Sequence, residues 1–131
     1  MEESIFTQII NGDIPSHKIY EDGQVLAFLD IHPITPGHML VVPKQQVEFI
    51  WDMDDESYQH LMEIVKKLCS HARATMKTEF VGVQVIGVDV PHAHVHVIPF
   101  NDINEYHNVP DMSVEPNHGA LVAVAKKLSL L

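Results

Sequence analysis

The run Pro91-His92-Ala93-His94-Val95-His96-Val97-Ile98 carries the most concentrated chemistry in the chain. An extended strand turns alternate side chains to the same side, roughly 6.5–7 Å apart. On such a strand His92, His94 and His96 project together, while Ala93, Val95 and Val97 point into a core. Imidazole is nucleophilic when neutral and titrates near pH 7. One ring of such a row could attack phosphorus while a neighbour manages the leaving-group proton. Two other readings stay open on these residues alone. A merely solvated face needs no chemistry, although Thr, Lys or Glu serve that purpose more often. A zinc site would use paired histidines, but it needs a further ligand, and no Cys or Asp-His grouping stands out to supply one.

The elements that must hold this row can be read from spacing. Ile5, Phe6, Ile9 and Ile10 recur at helical intervals within residues 4–11, with Gly12 placed to end the helix. Lys18–Tyr20 and Gln24–Leu29 are predicted strands joined by Glu21-Asp22-Gly23, a tight reversal. His38–Val42 is a third strand, closed by Pro43, and Phe80–Ile86 and Pro91–Ile98 are a fourth and fifth. Between them, Leu61, Val65, Leu68 and Ala72 give a stripe to a long helix from about Asp54 to Thr75, with acidic residues at its start where the helix dipole favours them. Leu121, Val124, Ala125 and Leu128 suggest a short terminal helix, and residues 101–116 are irregular. Short turns pair strands antiparallel. The expected class is α+β, a sheet of about five strands with one long helix and short terminal helices packed on it.

A chain of 131 residues fits a single domain, 1–131, and 46 % hydrophobic with 20 % charged residues is globular composition. A formal charge of −10 disfavours nucleic acid, which needs a dense basic patch. One phosphate can still be held by backbone N–H groups and imidazoles. Cys69 is alone and cannot form an intramolecular disulfide. No apolar run is long enough to span a bilayer and the start is acidic, so a cytoplasmic protein without membrane attachment is expected. His17, His32, His38, His60, His71, His107 and His118 show no partner pattern and are read as surface or turn residues.

His92-Ala93-His94-Val95-His96-Val97-Ile98 resembles the signature of the histidine triad (HIT) family, three histidines alternating with apolar residues. Residues 4–16, Ala27-Phe28-Leu29-Asp30-Ile31 and the block Pro36 to Lys44 resemble three further family segments. The likeness covers about residues 4–100; the tail, 101–131, is not matched. It implies a HIT-like fold and a nucleotide hydrolase. In that reading His94 is the nucleophile and forms a covalent nucleotidyl-histidine. His92 orients it or touches phosphate, and His96 donates a proton toward the departing amine or phosphate. Ile5, Phe6, Ile9, Ile14, Phe28 and Ile31 correspond to the apolar nucleoside wall, and Asp30 to the ribose acceptor. A purine nucleotide substrate and a homodimer with joined sheets, the long helix at its interface, are implied as well. Relatives that transfer nucleotides carry Gln at the place of His96, so hydrolysis is implied first, of a nucleoside phosphoramidate or a related nucleotidyl bond. Dinucleoside polyphosphate hydrolysis and a weakly catalytic nucleotide-binding module are the alternatives.

Two departures matter. Relatives that bind zinc use a Cys-x-x-Cys pair and a histidine where this chain has Ser4, Thr7 and Gln46, so neither a structural metal nor another cofactor is expected. The loop before the histidines is short, with Gln84 near the family's usual Asn and Asp89 near its usual Ser or Thr. A carboxylate beside a phosphate is unfavourable. Either Asp89 faces outward, or the leaving group is a cation such as an amine, or activity is weak.

Overall fold

The computed structural model describes residues 2–131. Helix α1 (Ile5–Ile10) starts where the Ser4 hydroxyl accepts the Thr7 N–H, and it stops at Asn11, followed by Gly12 at φ +85°. Strands β1 (Lys18–Glu21) and β2 (Val25–Leu29) form a hairpin in which the Asp22 carboxylate accepts the N–H groups of Gln24 and Val25. Strand β3 (Met39–Pro43) follows. The long helix α2 (Asp55–Met76) is capped by Asp54, and it buries Leu61, Ile64, Val65, Leu68 and Ala72. Strands β4 (Phe80–Gln84) and β5 (Val95–Phe100), the single-turn α3 (Ile103–Tyr106) and α4 (His118–Leu128) complete the chain.

The five strands order as β1-β2-β3-β5-β4, with every neighbouring pair antiparallel. This confirms the expected α+β class. Directly paired residues share a face, so the register sorts the two layers. Ala27, Leu29, Met39, Val41, Val95 and Val97 pack with α2 and α4 in the larger core. Phe6 and Ile9 of α1 pack with Leu26, Phe28, Leu40 and Val42 on the opposite face. On that second face Phe28, Leu40, His96 and Gln84 lie in one row across four strands.

The strand predicted over Pro91–Ile98 enters the ladder only at Val95. The cause lies in β3. Its last residue, Pro43, has no N–H to extend the pairing, and its carbonyl accepts the Nε2–H of His92. Ala93 N–H turns to the Val47 carbonyl instead. His92 and His94 therefore stand on a segment tied down by side-chain and loop bonds. Strand β4 ends at Gln84, short of Ile86, and the terminal helix begins at His118 rather than near Leu121. Within the stretch predicted irregular, α3 forms because Asp102 and Glu105 make a capping box.

Gly82 on β4 faces the Tyr106 ring so closely that a Cβ there would collide with it. Gly82→Ala must expel the ring. The expected cost is about 2 kcal/mol of stability by urea unfolding, in the range for overpacked sites.

Candidate active site

Three rings meet at the start of β5. The centroids of His94 and His96 are 5.1 Å apart, and Phe6 packs edge-on against both His94 (5.0 Å) and His92 (5.8 Å). His94 is only 6 % exposed. Its Nδ1 lies 2.7 Å from the His92 carbonyl, an acceptor, so Nδ1 carries the proton and the lone pair resides on Nε2. Nε2 has no hydrogen-bond partner among the described residues. Of these, only Ser16 has a buried, unpartnered side-chain polar atom, its Oγ, so Nε2 of His94 opens to solvent. An imidazole in this tautomer turns its lone pair outward, the arrangement a nucleophile requires.

His92 is fully buried, and both of its nitrogens are engaged. Nε2–H donates to Pro43 O, and Nδ1 accepts from Ser4 Oγ at 2.7 Å. The expectation that His92 touches phosphate is corrected here, since the ring has no free atom for one. It can only orient. Burial, the largest cause, lowers its pKa, which favours the neutral ring this network needs.

Ser4, Thr7 and Gln46, the positions flagged as poor zinc ligands, converge on this same ring. Thr7 Oγ1 donates to Gln46 Oε1 (2.7 Å), Ser4 N–H donates to the same oxygen (2.9 Å), and the Gln46 amide donates to Glu2 O. Hydroxyl and amide groups that satisfy one another offer no thiolate or free imidazole, so this chain does not fit a metal here. Ser4→Ala removes a helix cap and strands His92 Nδ1 at once. It is expected to cost about 2 kcal/mol, read as a lower urea midpoint.

His96 leads to a residue that sequence reasoning missed. His38, read as a surface or turn histidine, is 2 % exposed and lies 2.9 Å from His96 Nδ1 through its Nε2. The Ile34 N–H donates to His38 Nδ1, so His38 must carry its proton on Nε2 and donate it to His96. His96 then carries its own proton on Nε2, which is open like that of His94. Burial, with a smaller push from a neighbouring histidine, takes the pKa of His38 down to about 3 and that of His96 to about 4. Both rings are neutral at pH 7. The 3.7 Å approach of Asp30 Oδ2 to His38 Nε2 is consequently not an ion pair.

Asp30, His38 and His96 present ligand-type atoms within 4.8 Å of one another. The lone pairs on Nδ1 of His38 and of His96 are already spent along the Ile34–His38–His96 relay, so these two rings could bind a cation only by breaking it. Of the other histidines, His17 and His118 pair at 3.0 Å on the surface, while His60 and His71 are half-buried, bonded to the Asp22 carboxylate and to the Leu128 carbonyl.

The proposed nucleoside wall divides. Phe6, Ile9 and Phe28 are buried together beside His94, and Ile14 packs against them. Ile5 is 48 % exposed and does not join this cluster. Ile31 is 42 % exposed and lines a groove of about 170 Å³ with Pro33, Pro36, Ala120 and Val124. Asp30 follows β2 directly. Burial, its largest influence, raises its pKa, while one oxygen accepts the His32 N–H at 2.8 Å and the other stays available. Asp89 is exposed, yet its charge bears on His96.

An antiparallel α+β domain with three clustered histidines, the middle one with its Nε2 open, defines a recognisable class. The family model of the HIT domain matches residues 11–103. "Protein hit" of Bacillus subtilis is 43 % identical over 107 residues, 75 % of this chain and 71 % of that one. The adenosine 5'-monophosphoramidase hnt1 of Schizosaccharomyces pombe is 35 % identical over 72 % of each chain. A HIT-like protein from Bartonella henselae superposes with a TM-score of 0.83 at 29 % identity, covering 96 % of this chain and 94 % of that one. The chain belongs to the histidine triad family.

Proposed function

We propose that the protein is a nucleotidyl hydrolase that opens the P–N bond of a purine nucleoside 5'-phosphoramidate through a covalent intermediate on His94. The observation that carries this reading is the tautomer of His94, Nδ1–H held by the His92 carbonyl and Nε2 open. In the first step the Nε2 lone pair attacks phosphorus, and the bonding pair of the P–N bond leaves with the amine, which takes up a proton. The nucleotidyl-imidazole keeps its Nδ1–H on His92 O, which stabilises the cationic ring. Water then attacks phosphorus, returns the electron pair to Nε2 and releases the nucleoside monophosphate. His92 and Ser4 position the nucleophile. His96, neutral at pH 7, offers Nε2–H as a hydrogen bond to the departing group or a phosphoryl oxygen; the amine's full proton comes from water. Asp30 accepts from the ribose, and Phe6, Ile9, Ile14 and Phe28 supply apolar surface beside the base.

An amine leaving group is preferred to a polyphosphate because Asp89, in the short loop before the histidines, adds a negative charge that disfavours a polyanionic leaving group. The S. pombe relative's name, a monophosphoramidase, agrees with this preference. The test incubates the protein with an adenosine phosphoramidate and, separately, a diadenosine polyphosphate. Faster release of AMP from the phosphoramidate supports the reading; retained AMP binding with turnover of neither favours a binding module instead.

Homodimerisation through β4 belongs to the same proposal. β4 is an edge strand with Val83 45 % exposed, and Val85 and Ile86 beyond it are exposed too. An uncovered apolar edge pairs readily with a second copy. Light scattering after gel filtration should give twice 14.8 kDa. Among the described residues no helix is long and apolar enough to cross a membrane.

A further inference from the structure

Gln84 is directly paired with His96, so the two side chains share the face that carries the site. Further back on β4, Phe80 pairs with Phe100 and their rings stack at 5.5 Å, which places that face of β4 under α3. Tyr106 of α3 lies 5.1 Å from Phe100 and rests on Gly82, the one residue between Phe80 and Gln84 on this face, where any side chain would block the ring. Its hydroxyl donates to Gln84 Oε1 at 2.8 Å. With that oxygen engaged, the amide of Gln84 keeps only its Nε2 hydrogens for another partner. Among the described residues this nitrogen has none and is not a buried unpartnered atom, so it faces solvent beside His96.

The geometry points to Tyr106 as a positioning residue that fixes the amide of Gln84 with its N–H groups turned to the site, where they donate to a phosphoryl oxygen of the bound nucleotide. Two neutral donors, Gln84 Nε2–H and His96 Nε2–H, then converge from adjacent strands on one anionic oxygen, without a basic side chain. Without the Tyr106 hydroxyl the amide can flip and present its carbonyl, which repels phosphate. The capping box of Asp102 and Glu105 holds α3 and so belongs to the same device. This inference rests on the nucleotide reading above, but not on catalysis.

The experiment titrates wild type, Tyr106→Phe, Gln84→Ala and the double variant with AMP and with adenosine by calorimetry. Tyr106→Phe keeps the ring on Gly82 and loses only the hydroxyl. Each single variant is expected to weaken AMP about three- to tenfold, the range for one neutral hydrogen bond, and to leave adenosine unchanged. The double variant should bind AMP no worse than Gln84→Ala. Undiminished AMP affinity in Tyr106→Phe, or an equal loss for adenosine, overturns the role of Tyr106 and leaves the nucleotide reading intact. A wild type that binds no AMP overturns both.

Discussion

His94→Ala is expected to lower kcat on an adenosine phosphoramidate by about a thousandfold or more, with little change in AMP affinity or in the unfolding midpoint. In the proposed mechanism the substitution removes the atom that forms the P–N bond. Water would have to attack directly, losing the advantage of a nucleophile already held in the site. Stability should survive because His94 gives up one hydrogen bond to a backbone carbonyl that is close to an open site, and Phe6 keeps its packing on Phe28 and His92. Single-turnover quenching adds a second readout: a labelled nucleotide should be trapped on the wild-type protein and absent from the variant. A His94→Ala variant that turns over within about tenfold of wild type would eliminate the covalent route.

The second large effect is on stability against acid. His38 and His96 have pKa values near 3 and 4 in the folded protein against about 6.5 in an unfolded chain, burial being the main cause for both. Between those values the unfolded state binds protons that the native state refuses. The native advantage is therefore complete above pH 6.5 and is lost as pH falls toward 4. At pH 5 each ring costs about 2 kcal/mol relative to pH 7.5, of the order of a third of a small domain's total for the pair. His92 shifts in the same direction, and Asp30, whose carboxyl is raised by burial, works weakly against it. Urea midpoints at pH 7.5 and 5.0 should differ sharply in wild type. His38→Asn removes one of the two titrating rings, lowers stability at pH 7.5 and makes the pH dependence shallower. Equal midpoints at both pH values would mean that the Ile34–His38–His96 relay does not exist as described.

Acidification below pH 6.5 therefore threatens the fold before it can protonate His96, so a loss of activity at pH 5 that follows the loss of structure reports unfolding and one that precedes it reports titration within the site. Comparing activity with far-UV ellipticity across that range separates the two.

How much of this was legible beforehand depends on the range of the interaction. Periodicity placed the five strands and the helices α1, α2 and α4 within a few residues because alternation and the 3.6-residue stripe are written locally, in Val25–Leu29 or in Leu61, Val65, Leu68 and Ala72; α3, a single turn held by its capping box, shows no such stripe. That one imidazole of the row could attack was legible in the same way, from three histidines spaced by two; the choice of His94 came from the family resemblance. The late entry of β5 into the ladder was not, since it turns on Pro43, roughly fifty positions away, whose carbonyl the His92 ring takes. Nor was the exposure of Ile5 and Ile31, which depends on how α1 and the turn after β2 are seated.

Residue identity and short spacing were enough for the α+β class and for the clustering of the three histidines, because each of these is a local property of the chain; that Ser4, Thr7 and Gln46 replace zinc-type ligands came from the family resemblance. The assembled fold was needed to establish which nitrogen of each ring holds a proton, that His38 stands behind His96, and that Tyr106 reaches Gln84. A tautomer is set by the partner on the far side of the ring, and those partners, Ser4, Pro43 and Ile34 among them, come from segments that only the paired sheet brings together.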